Sequence, residues 1–125
     1  MKTAISTVQA PKAAGPYSQA IANGDLVFTS GQVPLRPDGT MVTGEIGEQT
    51  RQIMQNLSAV LEAGGLSFAD VVKTTIYVTD MTVYARINEV YGSFLSAPYP
   101  ARETIGVAAL PLGAQVEISM VAVKA

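Results

Sequence analysis

The 125-residue chain has no cysteine and no histidine. The first absence removes disulfides, thiolate nucleophiles and thiolate metal sites together. The second removes the usual near-neutral general base and the commonest transition-metal ligand. Tryptophan is missing too, and charged residues make only 14% of the chain, against roughly 25% in an average soluble domain. A net charge of −2 provides no basic footprint for nucleic acid and no polybasic patch for a membrane. No apolar run is long enough to span a bilayer. Met1-Lys2-Thr3-Ala4-Ile5-Ser6 lacks the apolar centre of a signal peptide. The expectation is a soluble, cytoplasmic protein with neither nucleic acid nor membrane as partner. Its chemistry falls to Arg, Lys, Glu, Asp, Tyr, Ser, Thr and the backbone.

Hydrophobic residues make 48% of the sequence. At this length one domain, 1–125, with a single core is expected. So few charges on so small a body favour a surface partly buried against copies of itself.

Residues Thr3 to Val8 alternate weakly, as a short edge strand would, and Ala10-Pro11-Lys12 ends it. Ser18 to Ala22 and Leu26 to Ser30 flank Asn23-Gly24, a strong local hairpin signal. Gly31, in Ser30-Gly31-Gln32, is open to two readings: a close approach to a ligand or another chain, or a plain bulge or strand end. Arg36-Pro37-Asp38-Gly39 reads as a turn. Glu45 to Ala63 has helical spacing in Ile46, Ile53, Leu57, Val60 and Leu61, with Glu45 and Glu48 at the positive end of the dipole. Gly64-Gly65 stops it, and Leu66 closes over the last turn. Val71 to Val78 is β-rich. Asp80 then caps a second helix with a stripe of Val83, Ile87, Val90, Tyr91 and Phe94, ended by Pro98. Ile105 to Leu110 reads as a buried strand, and Gln115 to Val123, after a turn at Pro111-Leu112-Gly113, as the last one. Helices between strands, each with one apolar stripe, predict a single mixed sheet with both helices on one face.

Pro98 and Pro100 stiffen the approach to Arg102, which this reading puts at the mouth of a strand. A guanidinium on so restricted a backbone can receive a carboxylate through two parallel hydrogen bonds. The alternative is a surface arginine paired with Glu103. Strand parity adds a second candidate. Val116, Ile118 and Met120 point one way; Glu117 and Ser119 point the other, with Val121 and Val123. In the preceding segment Arg102, Thr104 and Gly106 share one face and Ile105 and Val107 the other. The Glu117 face is either wet or covered by a partner, and its valines suit an interface. Whether Arg102 and Glu117 meet is left open, as is the direction of the Glu117 pKa, since burial raises it and a nearby arginine lowers it.

Gly15-Pro16-Tyr17-Ser18-Gln19-Ala20, Phe28-Thr29-Ser30-Gly31-Gln32, Tyr77-Val78, Ile87-Asn88-Glu89-Val90-Tyr91, Pro100-Ala101-Arg102, Leu110-Pro111 and Val116-Glu117-Ile118 follow one another in order. Together they resemble the RidA/YjgF reactive-intermediate deaminases over nearly the whole chain. The resemblance implies a chorismate-mutase-like α/β (α+β) fold, assembled as a homotrimer with sites in the clefts between subunits. It implies hydrolysis of 2-imino acids or their enamine tautomers to 2-oxo acids and ammonia, with no cofactor and no metal. Arg102 matches the arginine that grips the substrate carboxylate. Glu117 matches the acid beside the hydrolytic water, and Thr104 a position whose main chain contacts substrate and water. Tyr17, Ser30, Gly31 and Asn88 match positions lining the same cleft. Gly106 and Ser119 depart from a family pattern that is often acidic there, and Ala109 from one that is often basic.

Two rivals remain. A non-catalytic trimer would use the same arginine to hold a stable 2-oxo acid. A ribonuclease or translation-inhibitor role, also ascribed to this family, predicts basic grooves and exposed aromatics.

Overall fold

A computed structural model describes residues 1–125. Six strands, β1 (Lys2–Ile5), β2 (Ala20–Asn23), β3 (Leu26–Thr29), β4 (Val71–Val78), β5 (Ala101–Gly106) and β6 (Val116–Val123), form one sheet in the order β1-β2-β3-β6-β4-β5. The β4–β5 pair is parallel and every other pair is antiparallel. Helices α1 (Ile46–Ala63) and α2 (Tyr84–Ser93) complete the mixed sheet-and-helix layering read from the sequence.

Local chemistry explains most element ends. The β2–β3 loop is Gly24-Asp25, since Asn23 still pairs with Leu26. Gly24 takes φ 61 while Asp25 does not go left-handed, the pattern of a type II′ turn, so Asn23 is a strand residue and not a turn residue. At the end of α1, the Leu66 N–H reaches the Leu61 carbonyl and the Gly65 N–H the Glu62 carbonyl, both at 2.9 Å. Gly65, at φ 78, supplies the left-handed residue that this closure needs. Asp80 caps a 3₁₀ turn, Met81–Val83, and not α2 itself, which starts one residue later. The second helix also ends at Ser93, five residues before Pro98.

The core lies between the helices and one face of the sheet. Val116, Ile118, Met120 and Ala122 of β6 are buried, while Glu117, Ser119, Val121 and Val123 between them are half-buried. From α1, Ile53, Met54, Leu57, Val60 and Leu61 are fully buried. Two contacts fix α2. Arg86 donates to Glu45, the N-cap of α1, with Nη2 to Oε1 at 2.8 Å, and also pairs with Glu89. Gly47 leaves the slot for it, because a Cβ there would lie 2.7 Å from the Arg86 Cζ. The bond holds the Glu45 carboxyl below the usual carboxylate range, helped by the Gly47 N–H. Deeper in, the Tyr91 hydroxyl donates to Thr74 Oγ1 of β4 at 3.0 Å.

One expectation fails. Ile105 to Leu110 is not a buried strand. The strand runs from Ala101 to Gly106 and Ile105 is 39% exposed. β5 lies at the sheet edge, and Ile105 shares a row with Tyr77 and Glu117 on the face away from the helices. The strand begins right after Pro100, which has no N–H for the ladder. Arg102 is therefore the second residue of the strand and still stands at its start. The expected edge strand Thr3 to Val8 is likewise shorter and earlier, at Lys2–Ile5, leaving Val8 exposed.

Leu57 touches only core, so Leu57→Ala is expected to lower stability by about 2–5 kcal/mol through the cavity it leaves. Chemical denaturation of both proteins at one concentration measures it; a loss below about 0.5 kcal/mol, the ordinary scale of surface substitutions, would contradict the packing described.

Candidate active site: a guanidinium and a carboxylate on opposite faces

Register decides where each candidate points. Arg102 pairs with Thr74, which pairs with Met120, and Thr104 pairs with Ile76, which pairs with Ile118. Side chains in one such row share a face, so Arg102 and Thr104 lie on the helix-covered side. Glu117 pairs with Tyr77, and Tyr77 with Ile105, which puts the carboxylate on the open side. Within one chain the two groups do not meet.

On the helix side Arg102 Nη1 donates to Asn88 Oδ1 at 2.5 Å, and Nη2 to the Tyr84 hydroxyl at 2.7 Å. Its Cζ also stands 5.2 Å from the ring centroid of Tyr91, within cation–π range. The alternative pairing with Glu103 does not form. Alternation sends Glu103 to the opposite face, where it binds Lys73 at 2.5 Å. Arg102 is thus surrounded by neutral groups, with no acid paired to it. Beside it opens a shallow cavity of about 380 Å³, lined by Asn88, Tyr91, Gly92, Tyr99, Pro100 and Arg102. Burial holds the Tyr91 hydroxyl above the usual phenol range, against the opposing pull of Thr74 and the cation. The Thr104 hydroxyl is buried without a partner.

On the open side Glu117 makes no ion pair; the four in the chain are Arg51–Glu48, Lys73–Glu103, Arg86–Glu45 and Arg86–Glu89. Burial alone pushes its carboxyl above the ordinary glutamate value. That decides the direction left open by the sequence, because Arg102 is behind the sheet. Gly31 lies against Glu117. Gln32 and Ile118 exchange backbone hydrogen bonds of 2.8 and 3.1 Å, drawing the two segments together. A Cβ on Gly31 would fall 2.7 Å from Glu117 Cδ, so the glycine is there for space, not for a left-handed φ. Tyr17, Ser30, Gly31 and Glu117 line a cavity of about 520 Å³, with Lys12 and Leu112 among the other walls. The Ser30 hydroxyl donates to the Ser18 carbonyl at 2.5 Å. The Tyr17 hydroxyl accepts from the Ala14 N–H at 3.2 Å and is open to solvent.

The candidates therefore split into two groups: Arg102, Thr104 and Asn88 on one face; Glu117, Gly31, Ser30 and Tyr17 on the other. The open face carries Ile105 in the Glu117 row and, toward the other end of β6, Leu26 and Phe28 beside Val123 and Val121; Ile105, Leu26 and Phe28 are each more than a third exposed. Tyr84 escaped the sequence reading, and Tyr91 entered it only as core. The spacing Tyr84, Asn88, Tyr91 is that of one helical stripe and was the available signal.

The sequence profile of the family described as Endoribonuclease L-PSP matches residues 7–124. A RutC family protein of Pyrococcus horikoshii is 46% identical over 125 residues, 99% of each chain. Reactive Intermediate Deaminase A, chloroplastic, of Arabidopsis thaliana is 45% identical over 97% of this chain and 65% of its own length. The crystal structure of Escherichia coli TdcF with bound serine superposes with a TM-score of 0.94 at 40% identity, over 98% of this chain and 99% of that one.

If Glu117 is what excludes a side chain at position 31, the two positions must couple. Gly31→Ala is expected to displace the Glu117 side chain at a cost of about 0.5–1 kcal/mol in the parent chain and less in a Glu117→Ala background. Equal costs in both backgrounds, read by thermal denaturation, would show that something other than the carboxylate demands the glycine.

Proposed function

The chain belongs to the endoribonuclease L-PSP family, and from that membership we propose that it is a reactive-intermediate deaminase. It hydrolyses 2-imino acids and their enamine tautomers, such as 2-aminoacrylate, 2-iminopropanoate and 2-iminobutanoate, to 2-oxo acids and ammonia. The working unit is a homotrimer in which the Arg102 side of one copy faces the Glu117 side of the next. The observation that carries this reading is the separation itself: a guanidinium without an acid and a carboxylate without a cation, on opposite faces of one sheet. Each is half of a site that a neighbouring copy completes. The apolar side chains on the Glu117 face support such a neighbour.

The chemistry uses only this chain's groups. Arg102 takes the substrate carboxylate and sets the protonated C=N carbon beside Glu117. Glu117 orients a water and accepts its proton as the oxygen bonds to that carbon. Backbone dipoles near Thr104 face the tetrahedral centre. The amino nitrogen gains a proton, the C–N bond breaks to release ammonia, and the hydroxyl of the tetrahedral centre gives its proton back to the group that protonated the nitrogen as the C=O forms. The Ser30 hydrogen is engaged with Ser18, so Tyr17 is the better donor to that nitrogen. Charge-assisted hydrogen bonds of about 1.5–3 kcal/mol each make the two-pronged grip dominant for so small a substrate. Proton transfer through Glu117 adds roughly 10²–10⁴-fold.

One specific observation favours a second reading. The Escherichia coli relative holds serine, and a caged arginine can bind a small carboxylate without turnover. RNA cleavage, named in the family description, finds less support in a chain of net charge −2, where Arg51, Lys73 and Arg86 are engaged by acids.

The test generates 2-iminobutanoate enzymatically and times its decay. Decay is expected to speed up with the protein, to lose most of that gain in Arg102→Ala, and to recover little in Arg102→Lys, which cannot form the fork. Glu117→Gln is expected to lower turnover with the trimer intact. Decay at the spontaneous rate alongside tight 2-oxo acid binding would replace the deaminase by the binding module.

A further inference from the structure

Arg102 has no acidic partner on its own face of the sheet. Of its two hydrogen-bonding partners, both on α2, one is the amide of Asn88 and the other the hydroxyl of Tyr84, one helical turn earlier. Tyr91 adds only its ring, because its hydroxyl donates to Thr74. Tyr84 holds the cation through its oxygen at 2.7 Å, while the Tyr91 ring centroid stands 5.2 Å from the Arg102 Cζ. The two contacts constrain different motions. The hydrogen bond fixes the Nη2 end in the guanidinium plane; the ring limits tilt out of it.

The neutrality of the acceptor matters as much as its position. A carboxylate at residue 84 would orient Arg102 equally well but cancel the charge that an incoming anion needs. A phenol orients without neutralising. An arginine otherwise enters binding with several free rotors, and their ordering would be charged to the ligand. We propose that Tyr84 is a positioning residue for carboxylate recognition: it pre-sets the Arg102 fork while leaving its charge to the ligand. This rests on the reading of Arg102 as the carboxylate receptor. Tyr84 does not line the cavity beside Arg102, so it acts through the arginine. The ligand carboxylate is held alike before and during the chemical step, so the contribution belongs to KM and not to kcat.

The experiment compares the parent protein with Tyr84→Phe, Tyr84→Glu and Arg102→Ala. It measures the Kd of 2-oxobutanoate by calorimetry, kcat and KM for 2-iminobutanoate, Tm, and assembly by light scattering. Tyr84→Phe keeps the ring and is expected to raise Kd and KM about tenfold, with kcat within about twofold and Tm and assembly unchanged. Tyr84→Glu is expected to bind 2-oxobutanoate more weakly still, with Tm at or above the parent's. Parental Kd and KM in Tyr84→Phe would overturn the proposal, as would a fall in kcat and Tm together with KM unmoved. So would parental binding in Tyr84→Glu, because it would show that the neutral acceptor is immaterial. Parental binding in Arg102→Ala would instead overturn the receptor reading beneath it.

Discussion

The two-residue alternation of an extended strand governs this molecule. Glu117 is the odd residue in a run whose even members, Val116, Ile118, Met120 and Ala122, form the floor of the core. That packing leaves the carboxylate no other direction. The parallel pairing of β5 with β4 then carries the same rule one strand further and sends Arg102 beneath α2. A shift of a single residue in either ladder would exchange every member of the two faces. The core that stabilises the sheet is thus also the device that keeps the two charged groups apart.

Separation has an energetic side. A half-buried carboxylate without a donor is disfavoured in its ionised form, which is why the Glu117 proton is held more tightly than in an unfolded chain. As pH rises from the ordinary glutamate value through the raised one, the ionised acid costs stability that the neutral form did not. Arg102 is held differently, by an amide, a phenol hydroxyl and the Tyr91 ring. Neither arrangement is what stability alone would select. An acid beside Arg102 or a donor beside Glu117 would occupy the place that the proposed function gives to substrate and water.

Patterns local in sequence were readable in advance. The α1 helix was, because its acidic cap, its apolar stripe and its paired glycines all lie within one segment. The β6 face was, because alternation over eight residues leaves no ambiguity. What failed was the status of β5. A run such as Ile105 to Leu110 looks the same whether it lies mid-sheet or beyond the end of an edge strand, and only the strand order tells which. The partner of Arg102 was hidden for a related reason. Glu103 is its neighbour in the chain but lies on the other face, while Tyr84 and Asn88 are distant in the chain and adjacent in space. The role of Gly31 was half visible: a close approach was one of two readings, but the group approached belongs to a strand more than eighty residues away.

Placing the two groups back to back has a consequence for how defects combine. Under the proposed assembly no cleft draws both groups from the same polypeptide. A copy lacking its arginine and a copy lacking its glutamate, set side by side, carry between them one fully equipped seam. Two inactive sequences can then complement each other in a mixed ring, and the unit of inheritance is not the unit of function.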